Sequence, residues 1–174
     1  GTVYGEIHPS GRYGVFSSNV VLPGFHALGS QRMEVYDTAS DLVITDFDRN
    51  ELIIPPHLSR KDVFETFPVF SADGKSIYYC AADTLPLPGD IEKLRYSLMR
   101  VSFDERTGRA GQDVEVIWDA EEHKASVCHP KCSPDGKWIM YTVAEYGTFP
   151  IWHAECQLEM MNLHTGEIVN MDAA

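Results

Sequence analysis

The phrases IHPSGRYGVF, FSADGKSIYY and CSPDGKWIMY recur along a chain of 174 residues. They superpose on Gly11, Gly74 and Gly136, which lie 63 and 62 residues apart. Self-similarity at a fixed period marks a repeat architecture, in which each copy is one supersecondary unit that buries its apolar face on its neighbours. The repeat therefore constrains the fold more than any isolated motif does. A residue that recurs by position is first of all a structural residue.

Each copy has the same grammar. Extended apolar segments at 63–70 and 125–132 lead into the polar turns Ala72-Asp73-Gly74-Lys75 and Pro134-Asp135-Gly136-Lys137. Asp can bond its own backbone and Gly tolerates positive φ, so Asp-Gly is a strong hairpin signal. β-rich runs at 76–82 and 138–143 follow, and each phrase reads as a β-hairpin. The first copy is looser. Its turn is Pro9-Ser10-Gly11-Arg12, with Ser in place of Asp, and its outgoing strand is 13–18.

A second hairpin is expected after each first one. In the first unit, 33–37 turns through 38–41 and returns as 42–47. In the second, 98–103 turns through 104–112 and returns as 114–118. In the third, 158–163 turns through 164–166 and returns as 167–171. Four strands per unit of 62 residues is the layout of a propeller blade. No segment carries a sustained helical period. The expected fold is all-β: three four-stranded antiparallel blades over residues 1–60, 61–122 and 123–174.

Charge and hydropathy narrow the function classes. The chain has 14 Lys and Arg against 26 Asp and Glu, a formal net charge of −12. Nucleic acid and acidic membrane surfaces both call for a basic footprint, so neither is an expected partner. No run approaches the roughly 18 apolar residues of a membrane span, so no membrane insertion is expected. No basic segment followed by an apolar one opens the chain as a signal peptide would. The chain begins at Gly1 rather than Met, the expectation for a processed or excised segment.

The chemistry-bearing residues read mostly as structure. Four cysteines, Cys80, Cys128, Cys132 and Cys156, are too few for a disulfide scaffold. On a regular strand Cys128 and Cys132 share a face about 13 Å apart, too far to pair or to share one metal. Ser71 and Ser133 precede the turn in two copies, with His8 in the same place in the first, so the serines are turn residues before they are nucleophiles. No G-x-S-x-G elbow and no C-x-x-C-H is present. No cofactor, no metal and no catalytic residue is expected.

Binding residues tend to sit on loops held by a rigid sheet. The inserts at 20–31, 83–96 and 144–155 are rich in Gly, Pro and aromatic residues. They carry Phe25, His26, Tyr146, Phe149, Trp152 and His153, aromatic side chains with polar handles suited to a protein or carbohydrate ligand. The stretch 149–153 is the leading candidate surface. The competing role for Ile151 and Trp152 is to plug the gap between blades.

FSADGKSIYY, and still more CSPDGKWIMY, resembles the F-S-P-D-G-K-x-I-x-[YF] repeat of TolB-type β-propellers, relatives of the WD-repeat propellers. The segment 146–153 also resembles a loop in TolB-like periplasmic proteins of Bacteroidetes-type bacteria. The resemblance implies a six- or seven-bladed parent propeller, a periplasmic or cell-envelope location, and a binding or scaffold role. Three blades leave apolar faces uncovered, so the remaining blades are expected in cis or from a second chain. Some related propellers carry metal-assisted polysaccharide lyase sites or gate a serine peptidase. On that alternative His26, His57, His129 and His153 are the residues to watch, because a metal site needs several of them to converge.

Overall fold

In the computed structural model residues 2–25, 33–148, 150 and 153–172 are described. Among the described residues twelve strands form three antiparallel four-stranded sheets, each in simple sequential order. The first holds β1 (Thr2–Ile7), β2 (Tyr13–Phe25), β3 (Met33–Asp46) and β4 (Glu51–Ile53). The second holds β5 (Val63–Phe70), β6 (Ser76–Asp83), β7 (Ser97–Asp104) and β8 (Arg109–Trp118). The third holds β9 (Ser126–Cys132), β10 (Trp138–Ala144), β11 (Gln157–Asn162) and β12 (Ile168–Asn170). One helical turn, α1 (Ala120–His123), links the second sheet to the third. Among the described residues no helix is long and apolar enough to cross a membrane. The three sheets are propeller blades, and each first strand packs on the sheet before it: β5 on β1, β2 and β3, and β9 on β5, β6 and β7.

The turn chemistry read from the repeat is present atom for atom in two blades. Ser71 Oγ bonds Asp73 Oδ1 at 2.6 Å, and Asp73 Oδ1 accepts from the Lys75 N–H at 3.1 Å. Ser133, Asp135 and Lys137 repeat this at the same 2.6 and 3.1 Å. In the first blade His8 takes the place of the serine. Its Nδ1 accepts from the Ser10 N–H at 3.1 Å, which leaves Nε2 as the donor to the Gly74 carbonyl at 3.0 Å. A bond made within the turn in two blades thus becomes, in the first, a bond to the next blade.

The second hairpin of blade 1 differs from the expected one. Residues 38–41 are not a turn. β3 runs without a break through them, and its pairing with β2 extends from Tyr13↔Asp46 to Phe25↔Met33. Thr38 and Ala39 are accommodated opposite Val20 as a bulge between the pairs Asn19↔Ser40 and Val21↔Asp37. Much of the predicted 20–31 insert is therefore strand. The true turn is Asp46–Asn50, where Asp46 Oδ1 accepts the N–H groups of Asp48 and Arg49 at 3.1 and 3.2 Å. Asp104 caps Arg106 N–H, and Asn162 caps His164 and Thr165, at the equivalent turns. Each of these turns closes four residues on at a positive-φ residue, Asn50, Gly108 or Gly166. That pattern of Asp or Asn with Gly or Asn four positions later was visible in the sequence and marks these turns better than hydropathy does.

Two cores lie in the two seams. Tyr13, Val15, Leu42 and Ile44 of blade 1 meet Phe70, Ile77, Tyr79, Val101 and Phe103 of blade 2. Phe64, Tyr78, Cys80, Leu98 and Trp118 of blade 2 meet Val127, Ile139, Tyr141 and Met161 of blade 3. The second seam is also laced by backbone. Tyr96 N–H donates to Ser126 Oγ, Val127 N–H to the Tyr96 carbonyl, and Gly147 N–H to the Leu94 carbonyl.

Candidate functional site: a ring of aromatic side chains where three blades meet

Tyr4, Phe67 and His129 each stand seven residues before the turn glycine of their copy. They lie on β1, β5 and β9, and the fold brings them together. Ring centroids are 4.4 Å apart for Tyr4 and Phe67, 4.2 Å for Phe67 and His129, and 5.5 Å for Tyr4 and His129. All three rings are partly exposed. Aromatic groups in such offset and edge-on contacts hold one another in place and still present an apolar face with polar tips.

The backbone beneath two of these rings is strained. Phe67 and His129 both have φ of 52°. For bulky residues the left-handed region costs about 1–3 kcal/mol, and such conformations concentrate at functional sites. The local cause is legible. Each ring is followed by proline, Pro68 or Pro130, which removes a ladder donor from the strand. Each first strand then bulges at this point: register shifts between Thr66 and Val69, between Met140 and Thr142 opposite His129, and between Thr2 and Gly5. The bulge also corrects the expected cysteine geometry. Cys128 pairs with Thr142 but Cys132 with Ile139, so the alternation slips by one and Cys132 joins the Val127 face of the seam. The two thiols do not share a face.

Below the rings is a polar layer. Asn19 donates to Asp37 and, at 3.4 Å, to Thr66 Oγ1. Burial pushes Asp37 up to about 6, against the lowering effect of its bond from Asn19. Burial, with the nearby Asp37 charge, pushes the Tyr4 phenol up to about 12. Burial and then Lys131 bring His129 down to about 4, so its imidazole is neutral at pH 7. The thiols are no nucleophiles: burial raises Cys128, and it raises Cys132 to about 12. Two residues on from the rings, Glu6 ties the blades together. Its Oε2 accepts the Phe70 N–H at 2.7 Å and its Oε1 meets Lys131 Nζ at 2.9 Å.

The expected insert residues divide. His153 is 4% exposed, stands edge-on to Tyr146 at 6.0 Å, and lines one cavity with His129, Cys156 and Asp172. Tyr146 packs on the core of the second seam. His153 thus shares a cavity with His129 of the ring, and Tyr146 stands against His153. Phe25 is described by its backbone alone, at the end of β2. His26, Phe149, Ile151 and Trp152 lie outside the described residues. Of the histidines relevant to a metal, His129 and His153 share a cavity, whereas His57 lines a different one on the face of blade 2. Among the described residues no three His, Cys, Asp or Glu side chains are grouped to hold an ion. Sequence reasoning looked for binding residues in the inserts and passed over the ring. Its available signal was the aromatic-proline pair recurring on two first strands.

No family model and no curated protein matches this sequence. The fold is similar to that of a prolyl endopeptidase, with a TM-score of 0.59 at 12% identity over 98% of this chain and 21% of that one. A puromycin-hydrolysing peptidase of Mycobacterium tuberculosis gives 0.48 at 12% identity over 97% and 31%. An oligogalacturonate lyase of Vibrio parahaemolyticus gives 0.45 at 12% identity over 98% and 47%. The chain thus spans from about a fifth to about half of the length of these structures. At this identity the likeness establishes the β-propeller fold.

Proposed function

We propose that this chain is a non-enzymatic binding segment of a larger β-propeller, which takes a protein or glycan ligand on the aromatic ring where its blades meet. The observation that carries the reading is the convergence of Tyr4, Phe67 and His129, two of them held at φ 52°. Strain of that kind persists where the surrounding structure over-determines it, and an exposed aromatic cluster gives it a use. The TolB-like repeat phrases support a cell-envelope location and a parent ring of six or seven blades. The outward face of blade 1 supports further blades in cis or from a second chain. It exposes the large apolar side chains Val3, Ile7, Phe47, Leu52 and Ile54, the kind of surface that further blades would cover.

The likeness to a prolyl endopeptidase, of which the matched part is 21%, favours one second reading: the accessory propeller of a larger peptidase. One NMR titration tests both. Chito- and cello-oligosaccharides and a set of proline-containing peptides are added to the full chain. The binding reading expects shifts centred on Tyr4, Phe67, His129 and Tyr146, lost in Phe67→Ala, with every added molecule recovered intact. Cleavage of the peptides by the full-length protein supports the second reading. Shifts that avoid the ring, or none, sink the first.

A further inference from the structure

Two members of the aromatic ring, Tyr4 and Phe67, also line a small cavity of about 40 Å³. Asp37 and Thr66 line it from β3 and β5, and Leu94 and Tyr96 from the segment that joins β6 to β7. Among the described residues of its wall Asp37 is the one charged group. Lys131, the cation that acts on His129, is taken up by Glu6 at 2.9 Å.

Asp37 is half-buried and only partly bonded. Its Oδ2 takes the Asn19 amide. Its Oδ1 is shut off from solvent and accepts no hydrogen bond among the described residues. Burial raises this carboxyl to about 6, so it is mostly ionised at pH 7.5. A desolvated carboxylate that lacks a donor favours a cationic one. The aromatic rings act in the same sense, because a ring face attracts a cation within about 6 Å of its centroid. Size decides which cation. The cavity is little larger than the roughly 30 Å³ that one water occupies in the liquid. A primary ammonium head is of that size, whereas guanidinium and trimethylammonium are larger.

We infer that the ring is a receptor for the primary ammonium of a lysine side chain on a polypeptide. The ammonium bonds the Asp37 carboxylate, and the methylene stem lies along Tyr4 and Phe67. The net charge of −12 draws a basic segment toward the molecule. The inference rests on the ring being the binding surface, and it selects a polypeptide over a glycan.

The test is an NMR titration of the full chain at pH 7.5 with Nα-acetyl-lysine amide. The corresponding norleucine, arginine and trimethyl-lysine amides and chitotriose are titrated beside it. The lysine derivative is expected to give saturable shifts centred on Tyr4, Thr66 and Phe67, with an affinity about tenfold or more above that of the other amides. Asp37→Asn keeps the shape, removes the charge and weakens lysine binding by about tenfold or more. Circular dichroism checks that this variant is folded, and the comparison of probes on the wild-type chain stands without it. The inference is overturned if the norleucine or arginine amide binds as well as the lysine one, or if folded Asp37→Asn binds as the wild type does. Ring shifts with chitotriose and none with the lysine derivative overturn it and leave the ring a binding surface. No ring shift with any probe overturns both.

Discussion

The two seams of this molecule are packed from opposite ends. Between blades 1 and 2, His8, Tyr13, Phe70 and Phe103 fill the turn end, with His8 edge-on to Phe70 at 4.8 Å. At the other end of that seam a cavity opens on the face of blade 2 above Glu65. Between blades 2 and 3 the turn end carries a cavity of about 450 Å³ beside Asp73, Arg100 and Asp135, and a further one of about 630 Å³ opens on blade 2 beside Gly74, Phe103 and Ala110. The far end of the second seam is filled by Ile91, Leu94 and Tyr96 from the segment that joins β6 to β7. The same repeat therefore yields two different interfaces. One cause is the exchange of a turn serine for His8. Another is the stretch 20–25, which stays paired as strand instead of folding back into the seam as 84–96 does. Repeats share their local structure, and their interfaces are set by the few positions at which the copies differ.

Three experiments press on that contrast. The largest effect is expected at the filled end of the second seam. Leu94→Ala removes a buried side chain and costs about 4 kcal/mol by denaturant unfolding, whereas Val116→Ala, on the wall of the open cavity, costs about 0.5 kcal/mol. Equal losses would mean that the two far ends are packed alike.

Next come the turn glycines. Gly74 has φ of 70°, and a Cβ there would stand 2.2 Å from His8 Nε2, whereas Gly11 has φ of 77° with nothing within 4 Å. Gly11→Ala bears the backbone strain alone, about 1 kcal/mol, and Gly74→Ala adds displacement of His8 for about 3 kcal/mol in all. Matching values in thermal and urea melts would remove His8 as the lock of the first seam.

The smallest effect concerns the open end and depends on pH. The Glu65 carboxyl titrates near 4.5 when unfolded and at about 8 in the folded chain, because burial disfavours its charge. The folded state therefore keeps a proton that the unfolded chain gives up. The stability linked to it is complete below about pH 4.5 and declines as pH rises through about 8. Glu65→Gln keeps the shape and loses the titration. It should match the wild type near pH 5 and be the more stable of the two at pH 8. A constant difference across that range would place Glu65 in a wetter setting than the seam provides.

Most of the blade plan was legible because its signals are local. Asp73-Gly74 and Asp135-Gly136 fold their turns with atoms two to five residues apart, so composition alone announces them. The misplaced hairpin in blade 1 shows the limit. Asp41 and its neighbours look like turn residues, yet the partner strand offers Asn19 and Ser18 opposite Ser40 and Asp41, and pairing overrides propensity there. The aromatic ring was readable only in part. The recurrence of an aromatic residue before Pro68 and Pro130 was in plain view, but its meaning depended on three strands far apart in sequence.

What the residues alone determined was the number of blades, the places of their first turns and the all-β class, since turn chemistry and strand alternation act over a few neighbouring residues. The tertiary structure decided which side chains face one another across blades: that Tyr4, Phe67 and His129 meet, that Cys132 turns away from Cys128, and that Glu65 Oε2 is sealed without a partner. Those outcomes depend on bulges that reverse a strand's alternation and on packing between segments more than sixty residues apart, and no local pattern encodes either.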